Sequence, residues 1–95
     1  MYARVTKYKM KKDKIDAAAA MLETLKPQIM GMPGILNFIN VIDDDGNGYV
    51  VSVVESEDIS NANQGTVAKL WANFGDMLAA PPVPGGYNVL ANEAN

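Results

Sequence analysis

This 95-residue sequence predicts an α+β fold in the order β-α-β-β-α-β, with four antiparallel strands in one sheet and both helices on one face. Three observations carry that expectation. Apolar residues recur every second position in Tyr2–Met10, Ile35–Ile42 and Tyr49–Val54, and every third or fourth position in Ile15–Ile29 and Val67–Leu78. Asp43-Asp44-Asp45-Gly46-Asn47-Gly48 separates two strand-like runs with the residues a hairpin turn uses. Both runs are also apolar on both faces: Ile35, Asn37, Ile39 and Val41 alternate with Leu36, Phe38, Asn40 and Ile42, and Tyr49, Val51 and Val53 alternate with Val50, Ser52 and Val54. A hairpin with one wet face would alternate apolar with polar. Two helices can cover one side of this sheet, and a second copy of the chain is the simplest cover for the other, so a homodimer is expected.

The first strand, Tyr2–Met10, sets Tyr2, Arg4, Thr6, Tyr8 and Met10 against Ala3, Val5, Lys7 and Lys9. Asp13 stands where an N-cap belongs, and Ile15, Ala18, Leu22, Leu25 and Ile29 form one stripe of the helix that follows. Pro27 lacks the N–H that would bond the carbonyl of Glu23, so a kink or an irregular last turn is expected before Gly31. Met32-Pro33-Gly34 is a loop into the hairpin. Ser56 can cap a helical segment opening with Glu57 and Asp58, and a break is expected near Gly65. The stronger second helix is predicted from about Thr66 to Leu78, with Val67, Leu70, Trp71, Phe74, Met77 and Leu78 on its stripe. Pro81-Pro82-Val83-Pro84-Gly85-Gly86 reads as a semi-rigid connector outside regular structure, and Tyr87–Asn92 as the last strand before a polar tail. No internal linker or short-period repeat divides residues 1–95, so one domain is expected.

Composition narrows the chemistry. Without Cys there are no disulfides, thiolate nucleophiles or thiolate metal sites, and without His the commonest general base and metal ligand is missing. The formal net charge of −3 is the opposite of a nucleic-acid footprint, and the lysines at positions 7, 9, 11, 12 and 14 are interrupted by Asp13 and read as a solvated strand end. No apolar run approaches the ~20 residues that span a bilayer. Met1-Tyr2-Ala3-Arg4 leads straight into strand alternation without the charged head and apolar block of a signal peptide, so a cytoplasmic location is expected, with no nucleic-acid or membrane partner.

Residues 43–50 resemble the start of an EF-hand loop, but the twelfth position is Val54, which offers no bidentate carboxylate, and strands flank the loop in place of helices. They read as a plain turn, and no metal is expected. Trp71 and Phe74, with Leu70 and Met77, can serve as core or line a pocket for a flat aromatic ligand. Asn37 and Asn40 interrupt an apolar strand, where a buried amide must be hydrogen-bonded; one of them can orient a ligand carbonyl or phenol, or face solvent or a dimer seam. Arg4 can pair with a ligand anion or form a cross-strand salt bridge, the latter being the plainer reading.

The element order, Leu70-Trp71-Ala72-Asn73-Phe74 in the late helix and Pro33-Gly34-Ile35-Leu36-Asn37-Phe38-Ile39-Asn40 leading into the second strand together resemble the dimeric α+β barrel superfamily, and within it the antibiotic biosynthesis monooxygenase-like domains. The resemblance implies a ferredoxin-like sheet dimerising face to face into a barrel. It also implies oxidation of phenol- or quinol-like aromatics by dioxygen without metal, flavin or other cofactor, in a pocket between sheet and helices. Arg4, Asn37, Trp71 and Phe74 are the residues of matching type for binding substrate; no catalytic residue is assigned. Relatives that degrade haem hold its iron through a His, which is absent here. The competing function is a non-catalytic ligand-binding or regulatory module of the same fold. A lyase or isomerase would need a base such as Glu55, at the end of the third strand.

Overall fold

Alternating β-branched and aromatic residues form the strands of the computed structural model, which describes residues 1–95. The four strands are β1 (Tyr2–Met10), β2 (Ile35–Ile42), β3 (Asn47–Val54) and β4 (Leu78–Asn88). They lie in the order β2-β3-β1-β4, and every neighbouring pair is antiparallel. This is the ferredoxin-like arrangement. Thr6 pairs with Val50 and Arg4 with Ser52 on one side of β1, while Phe38 pairs with Ser52 and Asn40 with Val50 across the hairpin.

The hairpin turn is built by its own side chains. Asp43 Oδ1 accepts the backbone N–H groups of Asp45 (3.0 Å) and Asn47 (2.9 Å), and Gly46 adopts a φ of 89°, open to glycine at no steric cost. The Gly46 carbonyl in turn accepts the N–H of Met10 at 2.7 Å, fastening the turn to the end of β1.

Helix α1 (Ile15–Met30) follows a 3₁₀ turn over Lys12–Lys14, and α2 (Glu57–Ala62) and α3 (Gln64–Ala72) follow β3. Asp13 falls inside the 3₁₀ turn and makes no cap, which corrects the expected N-cap; the Lys14 N–H bonds the Lys11 carbonyl and the tighter turn leads the chain into α1. Pro27 is accommodated inside α1, on its exposed side together with Glu23, where an unpaired carbonyl can be hydrated. Ser56 caps α2 as expected, its Oγ accepting from Ile59 N–H at 3.2 Å. The break falls at Asn63 and not at Gly65. Asn63 is buried and its Nδ2 donates to the Pro33 carbonyl at 2.9 Å, so a tertiary bond places the break where local propensity does not. α3 is shorter than the predicted helix; a 3₁₀ turn over Gly75–Met77 carries Met77 and Leu78 on to the core, and Leu78 opens β4.

The largest correction concerns the Pro- and Gly-rich segment. Residues 81–86 lie within β4, paired with β1 through Thr6↔Pro84 and Val5↔Gly85, and the strand ends at Asn88 instead of continuing to Asn92. Because β4 is an edge strand, only its alternate N–H groups face a neighbour, and proline is tolerated there. Gly86 serves a close approach and not a turn: a Cβ there would collide with the Tyr2 hydroxyl.

The main core cluster lies between the helices and one sheet face, formed by Tyr8, Met10, Ala18, Leu25, Ile29, Met32, Leu70 and Phe74, while Ala3 and Val53, paired across β1 and β3, are buried on the other face. On the opposite face Ile39, Val41, Tyr49, Val83 and Tyr87 remain between 45% and 66% exposed. Helices on one face only, and a bare apolar second face, are what the double patterning of the hairpin predicts.

Candidate ligand pocket

Even-numbered residues of β1 and β3, and Phe38, Asn40 and Ile42 of β2, point to the helical side, and α1 and α3 do not fill all the space above them. The result is a cavity of about 190 Å³ whose floor carries Arg4, Thr6 and Tyr8 from β1, Phe38 and Asn40 from β2 and Val50 and Ser52 from β3. Leu22 and Leu25 of α1 and Val67, Leu70 and Trp71 of α3, with Phe74 just beyond, form the roof. Beside Arg4, Thr6 and Trp71 a more open groove of about 350 Å³ runs between α3 and Pro82 and Pro84 of β4. Arg4 and Trp71 therefore stand at the junction of cavity and groove.

The aromatic wall is fixed by mutual packing. The Tyr8 and Trp71 rings lie 5.5 Å apart at an interplanar angle of 56°, and Trp71 and Phe74 lie 6.0 Å apart edge to face. Tyr8 donates its hydroxyl proton to Asn40 Oδ1 at 2.6 Å, with the Val41 carbonyl a second acceptor at 3.2 Å. Burial raises the Tyr8 phenol above its ordinary range, and the Asn40 contact pulls it partly back. Tyr8 thus stays a neutral hydrogen-bond donor. With Oδ1 engaged, Asn40 keeps its Nδ2 protons for other acceptors.

Arg4 is the only charged residue lining either cavity or groove. The expected cross-strand salt bridge does not form: the ion pairs of the chain are Lys12–Asp45 and Lys26–Glu23, both on the surface. Arg4 instead donates from Nη2 to the Oγ of buried Ser60 on α2 at 3.1 Å. A half-buried guanidinium without a carboxylate partner keeps a charge and N–H donors of the kind that can receive an anion.

Arg4, Trp71 and Phe74 are brought together at this cavity, whereas Asn37 is on the opposite side of the sheet, where its Oδ1 accepts from Asn92 Nδ2 at 3.1 Å. The strand amide facing the cavity is Asn40. The two-residue period already grouped Asn40 with Phe38; what it did not say is which face the helices would cover. Tyr8 and Ser60 were also missed as site groups. The shared face of Arg4 and Tyr8 in the first strand was the available signal for Tyr8, while Ser60 enters only through the docking of α2. Glu55 is exposed and does not line the cavity, so it is not placed to act as a base there. No three acidic, His or Cys side chains converge as a metal-binding group, and no helix is long and apolar enough to cross a membrane.

No protein-family model matches the sequence, and no curated protein matches it. Solved structures do. A Nitrosomonas europaea protein assigned by name as an antibiotic biosynthesis monooxygenase superposes with a TM-score of 0.81 at 20% identity, over 96% of this chain and all of its own. A similarly assigned Caulobacter crescentus protein gives 0.80 at 19% identity, over 95% of this chain and 90% of its own. One from Bordetella bronchiseptica gives 0.79 at 13% identity, over 95% and 97%. At these identities the likeness is one of fold.

Proposed function

We propose, from the premise that this chain has the fold of the antibiotic biosynthesis monooxygenase-like proteins, that it is a small-molecule-binding homodimer and a cofactor-independent monooxygenase acting on a phenol- or quinol-like aromatic. The observation that carries the reading is a cavity with aromatic walls whose polar groups, Arg4 and the Tyr8–Asn40 pair, sit at its margins. The bare sheet face supports the dimer, since a broad exposed apolar patch is covered in a stable soluble protein. A cytoplasmic location goes with this reading.

The chemistry starts from the substrate's own acidity. Loss of a proton from a phenolic or activated CH₂ group gives an electron-rich anion, which the Arg4 charge and the Asn40 amide protons stabilise. Electron transfer to dioxygen and carbon–oxygen bond formation give a hydroperoxide; loss of water leaves a ketone, so that CH₂ and O₂ become C=O and H₂O. The apolar lining keeps bulk water from the anion.

The test is a screen of phenols, quinols and anthrone-like compounds by quenching of Trp71, the only Trp in the chain, followed by an oxygen electrode. Consumption of oxygen that survives chelators and requires no added flavin or haem is expected. Binding without consumption would refute the oxygenase reading and favour the ligand-binding or regulatory module.

A further inference from the structure

We propose that the ligand of this cavity is a monocyclic aromatic acid, its anionic group held by Arg4 at the mouth and a ring oxygen held by Asn40 at the far side of the floor. The inference rests on the small-molecule reading of the same cavity and names the class of molecule. Three features carry it. A wholly apolar cavity of ~150 Å³ is enough for benzene, so about 190 Å³ suits one substituted ring and not three fused ones. Arg4 brings a positive charge that makes no ion pair with any carboxylate of the chain, and no acidic side chain lines the cavity or the groove to repel an anion. Its bond to Ser60 fixes the guanidinium and leaves its other N–H groups to donate.

The spacing agrees. Asn40 pairs with Val50 and Val50 with Thr6, so Arg4 and Asn40 share a face two strands and two residues apart. Ideal strand spacings put their Cα atoms about 12 Å from each other. Side chains reaching inward from both leave the span of one ring carrying substituents at opposite ends. Arg4 also borders the open groove, so a carboxylate bound there stays partly hydrated while the ring enters the apolar interior beside Tyr8 and Trp71.

The experiment is calorimetric titration of the wild-type protein with 4-hydroxybenzoate, the uncharged 4-hydroxybenzamide and 9-anthracenecarboxylate, repeated with R4Q. A charge-assisted pair should make the acid bind about tenfold more tightly than the amide. 9-Anthracenecarboxylate should bind more weakly than 4-hydroxybenzoate. R4Q should remove the acid's advantage and leave amide affinity within about twofold, as expected when only the charged contact is lost. Equal wild-type affinities for acid and amide, a preference that survives R4Q, tighter binding of the three-ring acid, or no heat with either small ligand would each overturn the proposal. Should R4Q not fold, the wild-type comparison decides alone. Binding of the acid without oxygen uptake defeats the oxygenase reading and supports this one; turnover of three-ring phenols with acids no better than amides does the reverse.

Discussion

Replacing Gly48 by Ala tests whether the cavity floor is built as described, because this glycine is where β2, β3 and Tyr8 come closest. A Cβ at position 48 would stand 2.6 Å from the Val41 carbonyl oxygen and overlap the Tyr8 ring. The ring cannot swing aside freely: it packs on Trp71, is 4% exposed and is tied to Asn40. The hairpin or the ring must shift by several tenths of an ångström. Overpacking of this kind costs about 1–3 kcal/mol. At about 4–8 °C per kcal/mol for a domain of this size, the melting temperature should fall by about 5–20 °C. The assay is thermal unfolding by circular dichroism at one fixed chain concentration, since any self-association makes the midpoint concentration-dependent. Gly65→Ala is the matched control: it lies in α3 with nothing within 4 Å of a new Cβ, and should gain about 0.5–1 kcal/mol from helix propensity. A Gly48→Ala protein that melts within about 2 °C of wild type, well inside the range expected for overpacking, would refute the close packing of Tyr8 under the turn.

The remaining predictions concern assembly, acid and calcium. Light scattering at low micromolar concentration should give twice the chain mass of 10.2 kDa, and Val51→Lys on the bare sheet face should split or unfold the dimer, since a desolvated unpaired charge costs several kcal/mol; a wild-type monomer would refute the interface. The Asp43 carboxyl is held below its ordinary value of 3.8, chiefly by the Asn47 backbone N–H, so its folded-state pKa is depressed. Its stabilisation is present above that value and lost as pH falls through the folded pKa, and the stability gap between wild type and Asp43→Asn should close in that acid window; a gap constant from neutral pH to pH below the folded pKa would contradict this. Calcium should bind no more tightly than about millimolar, because Asp43 is already used by the turn; micromolar affinity abolished by Asp43→Ala would overturn the turn assignment.

Much of this molecule was legible in local pattern. The two-residue alternation in Tyr2–Met10 and residues 37–42, the Asp43 turn and the Ser56 cap each depend on residues adjacent or a few positions apart, and all appear in the structure as read. A register shift between Ile35 and Asn37, by contrast, turns Ile35 to the core and breaks the alternation at the start of β2. The double apolar patterning of the hairpin likewise announced a sheet with two faces to cover. What required the tertiary structure is everything that depends on a distant neighbour. Alternation says that Asn40 and Phe38 share a face, but only the docking of α1 and α3 decides that this face, and not that of Asn37, borders the cavity. Prolines 81, 82 and 84 argue locally against a strand; the edge position beside β1 makes them acceptable, because an edge strand leaves half its N–H groups unpaired. Arg4 carries the same charge in any fold. That it faces an apolar cavity without a carboxylate partner follows from where β1 sets it and where Ser60 receives it, a contact between residues 56 positions apart in the chain.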